Sequence, residues 1–303
     1  MSTPLSATRV LAALKAEGLS VQEYKSWRTN NRNSKGPWGP VYGVMIHHTV
    51  TSADDSSVAL CYDGHATLPG PLCHGVGRND GKVALVGHGR ANHAGSGDGD
   101  VLTAVRNETA LPVDNQANTD GNRYFYGYEI VNLGNGTDTY PWVQYVSAVK
   151  WAAAHCRAHG WTEKSVIGHK EWQPGKIDPK GPVVQPEGGV VEFTMSRFRA
   201  DVRAALALPA GVWPKQQEEE EDVALTEEEI TKIAHAVWRF KNLDIDPRDM
   251  RQITADAASG AKTAATVAQE VENKVDNLTV GGGVDLDVLA AKVADVLAAR
   301  LSG

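Results

Sequence analysis

Hydrophobic and polar positions along the chain fall into two periods. Val10, Leu11 and Leu14 within Ser6–Glu17 lie on one side of a short amphipathic helix. Residues 27–40 are rich in Asn, Ser, Gly and Pro and predict a loop. The run from Val41 to Thr49 is apolar until its far end, the mark of a buried strand. Strands are expected again at His74–Arg78 and Val83–Gly87, joined as a hairpin by Asn79-Asp-Gly81, and at Tyr126–Asn132 and Val166–His169. Val146, Val149 and Ala153 set a helical spacing over Trp142–His159, which Gly160 closes. Val191–Leu206 predicts a last helix, and the Gly-, Asp- and Asn-rich stretch Ser96–Asn122 a long surface insertion. Strands interspersed with helices point to an α/β fold, a central mixed sheet flanked by helices.

After Leu208 the pattern changes. Pro209, Pro214 and the acidic run Glu218–Asp222 predict a solvated linker over 209–224. Thr226-Glu-Glu-Glu229 is a capping box that opens a helix with Ile230, Ile233, Val237 and Phe240 on one face. Apolar and Ala residues then recur at about 3.5-residue spacing from Met250 to Leu278, and again from Leu286 to Val296 beyond the Gly281-Gly-Gly283 hinge. Such stripes cannot be buried by one helix alone. The expected organisation is a domain over 1–208, a linker over 209–224 and a separate helical tail over 225–303, whose stripes would be covered by oligomerisation or by a binding partner.

Charge follows the same division. Residues 215–303 hold 18 acidic and 10 basic side chains, net −8, whereas residues 1–214 hold 19 and 20, net +1. Neither part has the basic surplus that releases counterions from a nucleic acid, so that partner is not expected. No segment reaches the roughly 18 apolar residues of a membrane span. Arg9, Lys15 and Glu17 interrupt the N-terminal Ala/Leu pattern, so no secretory signal is expected there. Three cysteines, Cys61, Cys73 and Cys156, are too few for a disulfide framework, with a Cys61–Cys73 bridge left open.

Nine of the ten histidines lie between positions 47 and 169, and several stand where strands end. His47 ends one predicted strand and His169 another, with Asp178 nine residues further on across a loop. Two imidazoles, a carboxylate and an open position are the make-up of a catalytic zinc site. Spacing alone leaves the alternatives open, since a strand-end histidine is commonly a hydrogen-bonded structural residue and an Asp before Pro a turn residue. Glu129 interrupts the apolar run Tyr128–Val131, where an unpaired charge is costly. It reads as an ion-pair partner of an arginine or as a functional carboxylate.

Four segments occur together in one order: Ile46-His-His-Thr49, Gly87-His-Gly-Arg-Ala-Asn-His-Ala-Gly95, Tyr126-Gly-Tyr-Glu-Ile-Val-Asn132 and Gly168-His-Lys-Glu-Trp-Gln-Pro-Gly-Lys-Ile-Asp178. In this the chain resembles the type-2 N-acetylmuramoyl-L-alanine amidases, which share the fold of peptidoglycan recognition proteins, and within them the endolysins of phages infecting actinobacteria. The resemblance covers roughly residues 37–185. It implies Zn2+ held by His47, His169 and Asp178, with His48 a supporting or structural residue. It implies Glu129 as general base and Lys176 facing the developing oxyanion. His93 would line the substrate groove, Asn92 and Arg90 would help to hold muramic acid or the stem peptide, and Trp172 would wall the groove or pack inside. One position departs from the pattern. Where many members carry a tyrosine before the hairpin, this chain has Cys73 followed by His74, so that phenol's part is absent, moved to His74 or another residue, or not needed.

The implied activity is hydrolysis of the amide between N-acetylmuramic acid and L-alanine in peptidoglycan, by a phage endolysin that stays in the host cytoplasm until lysis. A non-catalytic peptidoglycan-binding protein, a muropeptide-recycling amidase and an assembly protein with a hydrolase head stand as alternatives. A homo-oligomer through the C-terminal helices is the further partner expected.

Overall fold

The computed structural model describes residues 2–213. The linker from residue 214 onward, the helical tail and its expected self-association lie outside the described residues. Six strands form one mixed sheet: β1 (Val21–Glu23), β2 (Gly43–His48), β3 (Gly75–Gly77), β4 (Val83–Leu85), β5 (Phe125–Ile130) and β6 (Val166–Gly168). Their order is β1-β4-β3-β5-β2-β6. The hairpin partners β3 and β4 are antiparallel, and every other neighbouring pair is parallel. Five helices accompany the sheet: α1 (Ala7–Ala16), α2 (Asp54–Asp63), α3 (Gly99–Asn107), α4 (Trp142–His159) and α5 (Met195–Leu206).

Strand alternation gives the sheet two unlike faces. Val44 and Ile46 of β2, Tyr126, Tyr128 and Ile130 of β5 and Val166 of β6 join one large core with α1, α4 and α5. Trp151 of α4 stacks on Tyr128 with ring centroids 4.7 Å apart, and Tyr145, Phe193 and Phe198 pack edge to face or stacked near the other end. The intervening residues point the other way into two smaller clusters. Met45, Phe125 and Ile167 meet α3 and Trp172 in one, while Val76, Ala84 and Val131 meet Val58 and Cys61 of α2 in the other. His47 of β2 and Glu129 of β5 belong to this second face.

Local chemistry sets the helix ends. The Ser6 and Thr194 hydroxyls accept from Arg9 N and Arg197 N at the starts of α1 and α5. Gly160 closes α4 in the left-handed region at φ 71°.

Several expectations require correction. The stretch 96–122 is not all surface, because Asp98 caps α3 and Val101 and Val105 of that helix are fully buried. The last helix starts at Met195, since residues 190–192 pair antiparallel with 182–184 before Thr194 caps it. Helix α2 was not apparent in the sequence, as its buried positions mix Ser57 with Val58 and Cys61. Trp213, past the boundary expected at Leu208, packs against the main core. The three cysteines are free, so the Cys61–Cys73 bridge is not formed. Among the described residues no helix is long and apolar enough to cross a membrane.

Candidate metal centre

The parallel register brings the polar strand ends into one row. His47 on β2 stands opposite Glu129 on β5, and Val76 on β3 lies on the far side of Glu129. Gly168 of β6 pairs with Ile46, which delivers His169 beside His47. Groups at the carboxyl ends of adjacent parallel strands form the usual ligand crevice of an open α/β sheet.

The loop after β6 carries Asp178 back to this row. Its turn is held by Lys170 N donating to the Asp178 carbonyl at 2.8 Å and Lys170 Nζ to the Pro179 carbonyl at 2.7 Å. Glu171 anchors it from below, accepting from Gly168 N and from both terminal nitrogens of Arg199 on α5. That bidentate pair fixes the loop against a helix, and no sequence spacing pointed to Arg199.

Three donor atoms converge as a result. His47 Nδ1 lies 3.0 Å from His169 Nδ1 and 3.1 Å from Asp178 Oδ2, and His169 Nδ1 lies 3.0 Å from the same oxygen. A nearly equilateral triangle of this size lets all three atoms reach one small cation from the same side, drawn in somewhat from the roughly 3.3–3.4 Å that separates ideal tetrahedral corners at bonds of about 2.0–2.1 Å. Two imidazoles and one carboxylate are a donor set compatible with a metal ion. His47 is 1% exposed and His169 5% exposed, so water does not compete for these atoms from behind.

The electrostatics agree with cation binding. Burial lowers the pKa of His47 to about 4, against the opposing pull of Asp178, so its imidazole is neutral at pH 7. Burial would raise the Asp178 carboxyl, yet hydrogen bonds from His169 and His47 outweigh it and hold the group well below the usual range. Glu129 moves the opposite way. Burial first, then Cys61 and Asp178, push its carboxyl well above the ordinary value, with Lys176 opposing. Its Oε2 is buried with no hydrogen-bond partner among the described residues, and its cross-strand neighbours are His47 and Val76, not an arginine. Lys176 is exposed, and its charge also lowers the pKa of His47.

The other residues singled out from the sequence fall in several places. His93 packs behind His47, with Nδ1 3.1 Å from His47 Nε2, and is only 8% exposed. Asn92 is tied to the neighbouring loop, donating from Nδ2 to the Pro69 carbonyl at 2.7 Å. Arg90 is buried in an ion pair with Asp120 at 2.7 Å and donates to the Pro37 carbonyl, so its guanidinium braces loops and has little left for a ligand. Trp172 does not wall a groove. It is fully buried, donates from Nε1 to the Ala94 carbonyl and packs on Phe125, because an indole with its one donor satisfied is a core group. His48 points to the opposite face, near Tyr140, with its ring against Gly134. His74 uses both nitrogens on backbone, accepting from Gly127 N at Nδ1 and donating from Nε2 to the Gly89 carbonyl, which leaves nothing for a substrate. Cys73 is fully buried, and its thiol donates to the Gly75 carbonyl.

The sequence model of the N-acetylmuramoyl-L-alanine amidase family matches residues 37–181. No curated protein matches the chain. Among solved structures, AmpDh3 from Pseudomonas aeruginosa in complex with anhydromuramic pentapeptide is 21% identical, with a TM-score of 0.35 over 52% of this chain and 61% of that one. The chain thus spans less than two thirds of that relative. The endolysin N-acetylmuramoyl-L-alanine amidase LysCS from Clostridium intestinale is 15% identical, with a TM-score of 0.37 over 61% and 94% of the two chains. AmiD from E. coli, with the substrate anhydro-N-acetylmuramic acid-L-Ala-D-gamma-Glu-L-Lys, is 16% identical, with a TM-score of 0.35 over 49% and 56%.

Proposed function

Because the chain belongs, through residues 37–181, to the N-acetylmuramoyl-L-alanine amidase family, we propose that it is a zinc hydrolase cutting the amide between N-acetylmuramic acid and L-alanine in peptidoglycan. The observation that carries this reading is the buried triangle of His47 Nδ1, His169 Nδ1 and Asp178 Oδ2, with edges of 3.0–3.1 Å. Zinc held there would supply Lewis acidity at the corner the triad leaves open.

The remaining chemistry falls to this chain's own side chains. Glu129, held one strand away from His47 with an unpartnered oxygen, takes the proton of the attacking water. It then gives that proton to the L-alanine nitrogen as the C–N bond breaks. A carboxyl whose pKa is raised is suited to both steps, since it gains a proton more readily than an exposed one. The Lys176 ammonium, two residues before Asp178, faces the negative charge that gathers on the amide oxygen. Asn92, half-exposed beside His93, is the group nearest in sequence that retains an acceptor for the sugar or stem peptide. As a phage lysin the protein would accumulate inside the host and reach the wall at lysis, and the tail beyond residue 225 would hold copies together or hold the wall.

Digestion of purified wall by the zinc-loaded and the chelated protein tests the reading. New alanine amino termini, released only by the loaded protein, are the expected product. New reducing sugar ends would identify a glycosidase, and wall binding without any new end would identify a recognition protein. Glu129→Gln should lower turnover by about 10²–10⁴-fold, the span of general acid–base catalysis, while zinc still binds.

A further inference from the structure

His93 lies behind the triad, wedged between β5 and β2. Its Nε2 is 3.1 Å from the Phe125 carbonyl oxygen, and its Nδ1 is 3.1 Å from His47 Nε2. Gly127 makes room for it: a Cβ there would stand 2.5 Å from His93 Cγ. His93 N in turn donates to the Asn122 side-chain oxygen, which also accepts from Ala94 N and Gly95 N and so fixes the loop that carries the ring.

Proton placement along this line is forced from one end. A carbonyl oxygen only accepts, so the proton in the first link sits on His93 Nε2. Neutral His93 then has a bare Nδ1, and the proton in the second link must come from His47 Nε2. His47 is left with a bare Nδ1, the atom that faces His169 Nδ1 and Asp178 Oδ2. The reverse order would require a cationic His93 in a water-poor space, with the His47 and His74 rings only 5.3 and 5.6 Å away. Among the described residues the second imidazole of the triad has no such support, for His169 Nε2 is buried and finds no partner there.

We propose that His93 is a positioning residue, which holds His47 in the Nε2–H tautomer and so presents the Nδ1 lone pair to a divalent ion. This role rests on His47, His169 and Asp178 being the ligands. It replaces contact with substrate as the function of the Asn92-His93 pair's second member.

The test uses the full-length protein and zinc alone, in competition with a chromophoric chelator. His93→Leu keeps bulk but removes the acceptor, and should weaken zinc binding by about 10–100-fold, the usual consequence of losing a ligand's supporting hydrogen bond. His93→Asn places an amide oxygen near the position of Nδ1 and should return affinity close to wild type. Cobalt substituted for zinc should show an altered visible spectrum in His93→Leu and a restored one in His93→Asn, a pattern that simple loosening of the fold would not produce. Nitrogen-15 spectra of the zinc-loaded wild type should show the proton on Nε2 of both His47 and His93. That measurement decides the matter even where His93→Leu does not fold. Wild-type zinc affinity in a folded His93→Leu, or a proton on His93 Nδ1, would overturn the proposal while leaving the ligand assignment intact. A wild-type chain that binds no zinc would remove both.

Discussion

The two faces of the sheet are built from the same strands and behave as different materials. On the face covered by α1, α4 and α5, one continuous core runs from Val10 and Leu14 through Tyr126 and Tyr128 to Phe198. On the other, two smaller clusters are parted by a polar seam of His47, His93, Glu129, His169 and Asp178. Close packing of apolar groups stabilises the first. The seam instead keeps the neutral rings of His47 and His93 and the Glu129 Oε2 atom away from water, and a buried polar atom without a partner among the described residues costs free energy. The difference assigns stability to one side and chemistry to the other.

Acid should test the contrast most severely. Burial holds His74 at about 4 and His155 at about 3, whereas in the unfolded chain both take up protons near 6.5. Their contribution is therefore complete above pH 6.5 and is lost as the pH falls through 4 and 3. For each such histidine, every pH unit between the folded and unfolded midpoints is worth about 1.4 kcal/mol. Denaturant titrations at pH 7 and pH 4 should show the midpoint collapse, and an unchanged midpoint would refute neutral burial on either face. Trp151→Ala comes next. It removes an indole packed on Tyr128 and His155 and should cost about 3–5 kcal/mol. Zinc affinity of the folded fraction should be unaffected, and a parallel loss of binding would mean that the faces are not separable.

Glu129→Gln should move in the opposite direction. Replacing a buried carboxyl by a neutral amide should raise the metal-free midpoint by about 1 kcal/mol, or roughly 2–4 °C in melting temperature for a domain of this size. A lower midpoint would mean that the carboxylate is well solvated or paired. The smallest effect is expected at Val50, a β-branched residue at φ 58° and 67% exposed, just past the end of β2. Val50→Gly should relieve the left-handed strain and stabilise the metal-free fold by up to about 1 kcal/mol.

What was legible in the sequence followed from period. His47 and Glu129 were visible because a strand's two-residue repeat makes a polar side chain stand out at an apolar position. The Asn79-Asp-Gly81 hairpin and the Gly160 terminus were visible because each needs a particular backbone. Asp178 had no such mark, and only the ordered set of motifs pointed to it. Helix α3 carried Val101, Ala104 and Val105 at proper helical spacing, but Gly, Asp and Asn on both sides masked so short a signal. Arg90 and Trp172 lie in loops, where no repeat separates inward from outward. Both turned inward, Arg90 to Asp120 and Trp172 to Phe125.

Among the described residues strand β6 sits at the margin of the sheet, with β2 as its single neighbouring strand. Yet it leads directly into His169 and the loop ending at Asp178, two corners of the triangle whose third belongs to β2. An ion gripped by all three would rivet this margin to the interior. Amide exchange at Val166, Ile167 and Gly168 would then slow on loading far more than at the α1 side, and stripping the ion would let the margin breathe while the rest of the domain stayed closed.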